Sequence, residues 1–311
     1  MNIIITGGTG FLGSKLAEKF LLKGHKVTIV DIKKTSISYR RKIIKKAKFV
    51  KADIRLINSF NKIKVSKNSV LLHCAGQPSA AISFKNPIDD LNKNIVGMIN
   101  VINFSKKNNI KKIIFASTFN VYKENFKVSK LNENSICESK SLLSISKFAA
   151  ENYLKVYASQ LNIKWNILRM FNVYGPGQDP KNPNLGMVSI FLNMAKKNSH
   201  IKVKGSLKRF RDFIFIDDVV NGWYKTAIDK KNFNKVYNLG SGKKTSLKSL
   251  FNIIKKVLNK KIDIIEEKGT PGDFLGCYAS IKKIKKDLKF SPSTNLEKGV
   301  KIFSNWLDNN K

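Results

Sequence analysis

Three glycines near the start of the chain have the spacing of a nucleotide-binding loop. Gly8-x-Gly10-x-x-Gly13 follows a β-branched run at Asn2–Thr6 and precedes a helical pattern at Ser14–Leu22. In a strand–loop–helix context the backbone can approach a pyrophosphate closely, and the helix N-terminus presents free N–H groups to it. The motif therefore predicts dinucleotide binding, although three glycines taken by themselves would also fit an ordinary tight turn.

An acidic residue supports this interpretation. Asp31 follows the next predicted strand, His25–Val30, about 20 residues beyond the glycines, where a carboxylate can accept hydrogen bonds from the ribose hydroxyls. A carboxylate there would also repel a 2′-phosphate. We therefore expect NAD rather than NADP, while Lys33 and Lys34 leave NADP as the alternative.

The elements that must position this loop alternate between strand and helix through the first half of the chain. Such alternation predicts an α/β fold: a doubly wound parallel sheet (Rossmann) with a smaller α/β substrate-binding domain. We assign residues 1–172 to the NAD-binding domain, with a further strand near 235–240, and residues 173–311 mainly to the substrate-binding domain. The other predicted strands are Phe49–Ile54, Val70–Cys74, Ile113–Ala116 and Trp165–Arg169, and the long predicted helices are Pro87–Asn109 and Ser141–Asn162.

The charge of the chain is strongly positive, since 59 Lys and Arg against 21 Asp and Glu give a net charge of +38. The lysines are spread over every predicted helix instead of forming one block. We interpret them as solvated helix faces and expect nucleic acid to bind only non-specifically. The alternative is an RNA-associated protein in which the basic surface is the function.

The cysteines and the apolar runs indicate the setting of the protein. Cys74, Cys137 and Cys277 are odd in number and widely spaced, so they fit neither a disulfide framework nor a metal site, and we expect no metal. No apolar run reaches membrane-spanning length and no leader precedes the first strand. We therefore expect a soluble protein of a reducing cytoplasm, with no membrane partner.

Further motifs occur in a specific order along nearly the whole chain. They are Thr6–Gly13, His73–Gln77, Asn94–Gly97, Ser117–Thr118, Val121–Tyr122, Ser146–Lys147, Phe171–Gln178, Arg211–Phe213, Asp217–Val219, Asn238–Gly242 and Pro271–Asp273. In this order the chain resembles the extended short-chain dehydrogenase/reductases, and among them the NAD-dependent sugar-nucleotide epimerase/dehydratase family typified by UDP-glucose 4-epimerase.

The resemblance implies a retained NAD, a nucleoside-diphosphate sugar as substrate, a transient keto sugar, and a homodimer formed through the two long helices. It implies a cofactor site made by Gly7, Gly10, Phe11, Leu12, Gly13, Asp31, Asp53, Ile54, Cys74, Ala75, Gly76, Gln77, Asn94, Thr118, Lys147 and Phe171. It implies a substrate site made by Gln77, Thr118, Asn172, Arg211 and Asp273, with the sugar nucleotide bound between the two domains.

The chain departs from the family at the expected proton acceptor. The family places a hydroxyl, a Tyr base and a Lys four residues after the Tyr; Thr118 and Lys147 fit the first and last, but the base position is Leu143. Leucine cannot accept a proton, so catalysis is expected to be lost or much reduced. The other side chains near this position that could replace the base are Ser144, Glu138, Cys137 and Lys147 itself.

Two neighbouring residues narrow the expected reaction. The dehydratases of the family carry Asp-Glu directly after the hydroxyl residue, where this chain has Phe119 and Asn120. The sequence therefore argues against dehydration and predicts an epimerase-like protein acting through a keto intermediate. The alternatives are a non-catalytic protein that binds NAD and a sugar nucleotide, and the RNA-associated protein described above.

Overall fold

The computed structural model describes residues 1–35, 37–124, 130–179, 186–268 and 275–310. The strands are β1 Asn2–Thr6, β2 Lys26–Asp31, β3 Lys48–Lys51, β4 Ser69–His73, β5 Lys112–Thr118, β6 Lys130–Leu131, β7 Lys164–Met170, β8 Asn172–Tyr174, β9 His200–Lys204, β10 Phe210–Arg211, β11 Phe213–Phe215, β12 Lys235–Leu239, β13 Thr245–Ser246, β14 Asp263–Glu267 and β15 Tyr278–Ala279. The helices are α1 Phe11–Leu22, α2 Ser38–Ile44, α3 Ala80–Lys85, α4 Pro87–Leu91, α5 Gly97–Lys107, α6 Leu142–Tyr153, α7 Met187–Lys197, α8 Ile216–Ile228, α9 Leu247–Leu258, α10 Lys282–Leu288 and α11 Leu296–Asp308.

A parallel seven-stranded sheet in the order β12-β7-β5-β4-β1-β2-β3 confirms the predicted α/β Rossmann fold. The strand order reverses at β1, because β2 and β3 lie on one side of it and β4 and β5 on the other. This point is the topological switch point of a doubly wound sheet. The structure places β12 at the edge of this sheet, in the region where the sequence predicts a returning strand.

The chain divides into two compact units. The first contains Met1–Lys123, Ile136–Arg169 and Val220–Tyr237, and the second contains the described parts of Glu124–Ser135, Met170–Val219 and Asn238–Lys311. The domain boundary at residues 172 and 173 stays a prediction.

The core of the first unit forms where helices α5 and α6 cover the middle of the sheet. Strand side chains such as Leu71 and Ile113 are fully buried there against Val101 and Ala150 of the two helices. These strands are apolar on both faces because helices cover a doubly wound sheet on both sides. This packing fixes the carboxyl ends of β1, β4 and β5.

Both long helices of the first unit differ from the predicted uninterrupted helices. A π-helical segment, Asn92–Val96, joins α4 to α5, and a second, Leu154–Ala158, follows α6. The second unit has its own apolar core, in which the rings of Phe191 on α7 and Phe251 on α9 lie 4.7 Å apart.

Candidate functional site

The glycine loop lies between β1 and α1, at the switch point of the sheet. Gly7 adopts φ +69°, and a Cβ on Gly7 would lie 2.6 Å from the backbone nitrogen of Ala75. Gly10 is the N-cap of α1, and within the described part of the chain no side chain caps this helix end. The first N–H groups of α1, on Phe11, Leu12 and Gly13, have no intrahelical partner and suit an anion.

Asp31 lies at the end of β2 and contacts this loop. Its Oδ2 accepts hydrogen bonds from the backbone nitrogen of Thr9 at 3.0 Å and from Thr9 Oγ1 at 2.7 Å. Buried Arg40 of α2 donates to the carbonyl of Thr9 at 3.3 Å. Asp31 therefore holds the glycine loop in place, and Arg40, which the sequence analysis missed, supports the same turn.

Asp53 and Ile54 follow β3. The Asp53 carboxylate accepts hydrogen bonds from Arg55, whose Nη2 lies 2.6 Å from Asp53 Oδ2. These hydrogen bonds hold the pKa of Asp53 below its ordinary value. Ile54 packs so closely on α5 that a Cβ on Gly97 would lie 2.7 Å from Ile54 Cδ1.

The turn after β4 is held by one buried amide, Asn94. Asn94 Oδ1 accepts the backbone N–H of Gln77 at 3.0 Å, and Asn94 Nδ2 donates to Ser146 Oγ of α6 at 2.9 Å. Gly76 adopts φ +149°, and a Cβ there would lie 2.5 Å from Asn94 Oδ1 and 3.1 Å from Lys147 Nζ. Gly76, Gln77, Asn94 and Lys147, all predicted cofactor residues, are thus brought together.

Lys147 is buried beside this turn. Its Nζ donates to the carbonyl of Ala116 at 3.2 Å and lies 5.0 Å from the centre of the Phe115 ring. Burial lowers the pKa of Lys147 to about 8, so the neutral amine is accessible near neutral pH.

Burial also keeps two side chains near Lys147, His73 and Cys74, in their uncharged forms. Burial, together with the positive charge of Lys147, lowers the pKa of His73 to about 3. His73 accordingly acts as a neutral ring that stacks on Phe115 and bonds Thr6 Oγ1 at 2.7 Å. Burial raises the pKa of the Cys74 thiol, which leaves it unreactive.

Thr118 lies on β5, the strand that Lys147 contacts, and Leu143 lies on α6, the helix that carries Lys147. Thr118 ends β5, and its Oγ1 accepts the backbone N–H of Asn120 at 3.2 Å, which leaves the hydroxyl hydrogen for another acceptor. Leu143 is buried in the first turn of α6, at 5% exposure. Ser144 forms a capping box with Ser141, and its Oγ donates to the Ser141 carbonyl at 3.0 Å. Ser144 is therefore engaged in the helix cap.

The other side chains weighed as replacement bases are also engaged or unsuited. Glu138 pairs with Lys123 at 2.5 Å on the surface. Burial raises the pKa of Cys137, which pairs with Tyr122 through a backbone bridge. The nearby Tyr122 is engaged as well, because the guanidinium of Arg169 lies 4.7 Å from the centre of its ring.

A buried ion pair that the sequence analysis missed connects the elements carrying Thr118 and Lys147. Glu151, one turn after Lys147 on α6, is fully buried and accepts Arg169 Nη2 of β7 at 2.6 Å. It also accepts Ser117 Oγ at 2.5 Å, directly before Thr118. An acid at the i, i+4 position from Lys147 on an apolar helix was the available signal.

The predicted substrate residues of the second unit lie around a buried carboxylate. Asn172 Nδ2 donates to the carbonyl of Asp212 at 3.2 Å, and Arg211 Nη1 donates to the carbonyl of Phe210 at 2.7 Å. The Asp212 carboxylate accepts Ser241 Oγ at 2.6 Å and the N–H of Ala279 at 3.0 Å, so it is structural. Buried Phe171, a predicted cofactor residue, donates its N–H to Leu239 in this unit. Asp273 lies outside the described residues.

The described ranges of the chain hold neither a cluster of metal ligands nor a membrane-spanning helix. No group of three His, Cys, Asp or Glu side chains is placed to hold a metal ion in those ranges. Within the same ranges, no helix has the length and apolar character needed to cross a membrane.

Comparisons with known proteins identify the family to which the chain is similar. A model of the NAD dependent epimerase/dehydratase family matches residues 3–240. The structure of UDP-glucose 4-epimerase from Thermotoga maritima, solved with UDP-glucose, is 30% identical with a TM-score of 0.91, and the match covers 99% of each chain. That of Thermus thermophilus UDP-glucose 4-epimerase with NAD is 25% identical with a TM-score of 0.88, over 100% of each chain. A UDP-N-acetyl-alpha-D-glucosaminuronate decarboxylase of Bacillus cytotoxicus is 28% identical, over 98% of this chain and 97% of its own.

Proposed function

Because the chain belongs to the NAD dependent epimerase/dehydratase family, we propose that it binds NAD and a nucleoside-diphosphate sugar and that its reaction is epimerisation through a keto sugar. Gly76, Asn94 and Lys147 lie close together beside the glycine loop, and this observation supports the proposal most directly. Catalysis in the wild-type chain is limited by Leu143.

The residues of the first unit fit the cofactor. Gly7 has no side chain and can lie close to the backbone of Ala75, and α1 begins without a side-chain cap. A pyrophosphate would therefore meet a close backbone and unpaired N–H groups at this helix end. Asp31 lies where the adenosine ribose would follow, and its carboxylate favours NAD over NADP. Gly76, Asn94 and Lys147 would hold the nicotinamide side.

The cofactor, when bound, accepts a hydride from a sugar carbon and returns it. The chain must then orient the sugar hydroxyl and accept its proton. Thr118, with a hydroxyl hydrogen available, suits the first task. A tyrosine at position 143 would suit the second, because residues 143 and 147 share one face of α6 and the lysine ammonium favours a phenolate.

Lys147 is the side chain that supports residual turnover. Its lowered pKa makes a neutral amine available, whereas Ser144 and Glu138 are engaged in a helix cap and an ion pair. A second candidate function, a protein that binds NAD and a sugar nucleotide without turnover, is favoured by the hydrocarbon at Leu143. The two candidates differ in whether product forms.

For the substrate, we propose that Arg211 and Asn172 of the second unit bind the diphosphate. Arginine suits a phosphate because its planar guanidinium donates two parallel hydrogen bonds. Asp273, which belongs to the motif Pro271–Asp273, is proposed to contact the nucleotide ribose. Nucleic acid is proposed to bind only non-specifically.

The test is a substitution that restores the missing hydroxyl. UDP-, GDP-, CDP- and dTDP-sugars are first screened by thermal shift, and epimerisation of the stabilising sugars is then measured. We expect Leu143→Tyr to raise the rate at least about tenfold, which corresponds to about 1.4 kcal/mol of activation free energy.

Two matched controls isolate the hydroxyl. Leu143→Phe supplies the ring without the hydroxyl, and Ile145→Tyr supplies a tyrosine at an exposed position of the same helix turn. Neither control should raise the rate. An ordinary rate in the wild type that Leu143→Tyr does not increase would show that the base lies elsewhere.

A further inference from the structure

We infer that Asp90 is the counter-charge of Lys147 and that, through the amide of Asn94, it keeps a proton on that amine. Asp90 is a positioning residue in this sense, since it acts through two other side chains. The inference rests on the proposed function only for the place of Lys147 in the cofactor site, because the charge pair itself belongs to the chain without ligands.

Asp90 is a buried acid of α4 without a direct cationic partner. It is 2% exposed, and among the described residues no basic side chain forms an ion pair with it. The preceding residue differs, since Asp89 is partly exposed and pairs with Arg55 at 3.0 Å and with Lys93 at 2.6 Å. A buried carboxylate without a counter-charge is costly, so the charge of Asp90 has to be balanced at longer range.

Asn94 connects this carboxylate to Lys147. Asn94 Nδ2 donates to Asp90 Oδ1 at 3.0 Å. A Cβ on Gly76 would lie 2.5 Å from Asn94 Oδ1 and 3.1 Å from Lys147 Nζ, so the amide oxygen and the amine meet over a residue that has no side chain. The hydrogen bond to Asp90 polarises the amide and makes its oxygen more negative toward Lys147.

The other titratable groups near the amine are neutral near neutral pH. Burial lowers the pKa of His73 to about 3, and it raises the pKa of Cys74. Cys74 would act on Lys147 only as a thiolate, which its raised pKa excludes near neutral pH. Burial lowers the pKa of Lys147, and among the described residues the negative charge that opposes this effect is therefore that of Asp90.

The hydrocarbon at Leu143 gives the charge of Asp90 its importance. A tyrosine at position 143 would share one face of α6 with Lys147, and its phenolate would balance the ammonium. Leu143 supplies no charge, so in this chain the carboxylate of Asp90 is left to balance the amine. Asp90 then opposes the release of the proton from Lys147, which the amine has to lose before it can act as a base.

The experiment follows the titration of single lysines by NMR in the full chain, freed of nucleotide and labelled with carbon-13 at the lysine ε-carbons. Lys147 is assigned by the loss of its signal in Lys147→Met, and its midpoint in the wild type should be about pH 8. Asp90→Asn removes the charge but keeps an acceptor oxygen for Asn94. It should lower the midpoint of Lys147 by about one pH unit, a loss of proton affinity of about tenfold.

Two controls are matched to this measurement. Asp89→Asn removes the neighbouring, partly exposed acid and should leave the midpoint of Lys147 unchanged. Lys112, a second buried lysine with a pKa of about 8, should titrate alike in all variants. An unchanged midpoint of Lys147 in Asp90→Asn, or an equal shift in Asp89→Asn, would overturn the inference.

A double variant covers the case in which Asp90→Asn does not fold. Removal of one member of a buried charge pair leaves the other unbalanced, so Asp90→Asn combined with Lys147→Met should be more stable than Asp90→Asn alone in urea unfolding at about pH 6. A double variant that is no more stable would overturn the inference. Failure of the wild type to bind NAD would overturn the proposed function and leave these titrations unaffected.

Discussion

Burial brings the pKa of the Lys147 amine closer to neutral pH than that of an ordinary lysine. Its pKa is about 8 in the folded chain because burial penalises the charged form, against 10.5 for an ordinary lysine. The folded state therefore binds fewer protons than the unfolded state between these values, and stability rises with pH across that window.

We predict that this pH dependence is lost in Lys147→Met. At 1.36 kcal/mol per pKa unit, the free energy of unfolding of the wild type should gain up to about 3 kcal/mol, relative to the variant, between pH 7 and pH 10. Urea unfolding at several pH values measures this difference.

Lys112 supplies the comparison. Burial lowers its pKa to about 8 as well, but its Nζ donates to carbonyl oxygens at the C-terminal end of α8, those of Thr226 at 2.6 Å and Asp229 at 2.9 Å. Lys112→Met should lose the same pH dependence without changing the affinity for NAD, whereas Lys147→Met should weaken NAD binding. Equal NAD affinity in both variants would contradict the assignment of Lys147 to the cofactor site.

Most of the residues proposed for the site could be named from the sequence, because short motifs fix them. The state of each side chain could not be predicted, since it depends on residues far away in the chain. Asp53 illustrates this limit. Its position after a strand can be read from the sequence, but its partner Arg55 also pairs with Asp89 of α4, which lies far away in the chain. Glu151 was missed because its partners, Ser117 and Arg169, lie on two other strands.

Helix α6 is joined to strands β5 and β7 by that buried carboxylate. Glu151 is fully buried, and Arg169 donates to it through Nε at 2.9 Å and Nη2 at 2.6 Å. Removing one member of a buried pair leaves an uncompensated charge, so Glu151→Gln should lower the free energy of unfolding by about 3–5 kcal/mol.

Chemical unfolding of a double-variant set measures this coupling. Glu151→Leu combined with Arg169→Met should be less destabilised than either single variant, because no isolated charge remains. Ser117→Ala should cost about 1 kcal/mol, the value of one hydrogen bond. Additive effects of the two charge removals would contradict the ion-pair role.

The helix patterns predicted the existence of the long helices but not their interruptions. The apolar periodicity over residues 87–109 is correct for α4 and α5, yet the π segment Asn92–Val96 lies between them. Asn94 in this segment bonds Gln77 and Ser146, which are tertiary contacts that no local pattern contains. The interruption therefore depends on the folded neighbourhood.

At the scale of the whole molecule, the net charge of +38 destabilises the compact state through self-repulsion. Of the lysines that the structure describes, Lys112 and Lys147 are the buried ones, so nearly all the others repel one another at the surface. We predict that the midpoint of thermal unfolding rises between about 0.05 M and 0.5 M NaCl, because salt screens this repulsion. A falling midpoint would show that attractive pairs dominate.

We also propose that two copies associate through the helices of the first unit. Phe84, Ile88 and Val156 expose 63%, 66% and 61% of their surface, and a monomer would leave these apolar side chains in water. Ile88→Lys combined with Val156→Lys should convert the dimer to a monomer in light scattering. Leu22→Lys, at an exposed leucine of α1, should not.

The hydrogen bonds between Asp31 and Thr9 have a consequence for the evolution of this protein. The carboxylate proposed to select the ribose also braces the turn proposed to receive the phosphates, so one side chain serves two needs. Replacing Asp31 to admit a phosphorylated ribose would also remove the hydrogen bonds that hold the glycine loop at Thr9. A change of coenzyme in evolution would therefore require another residue to hold this loop first.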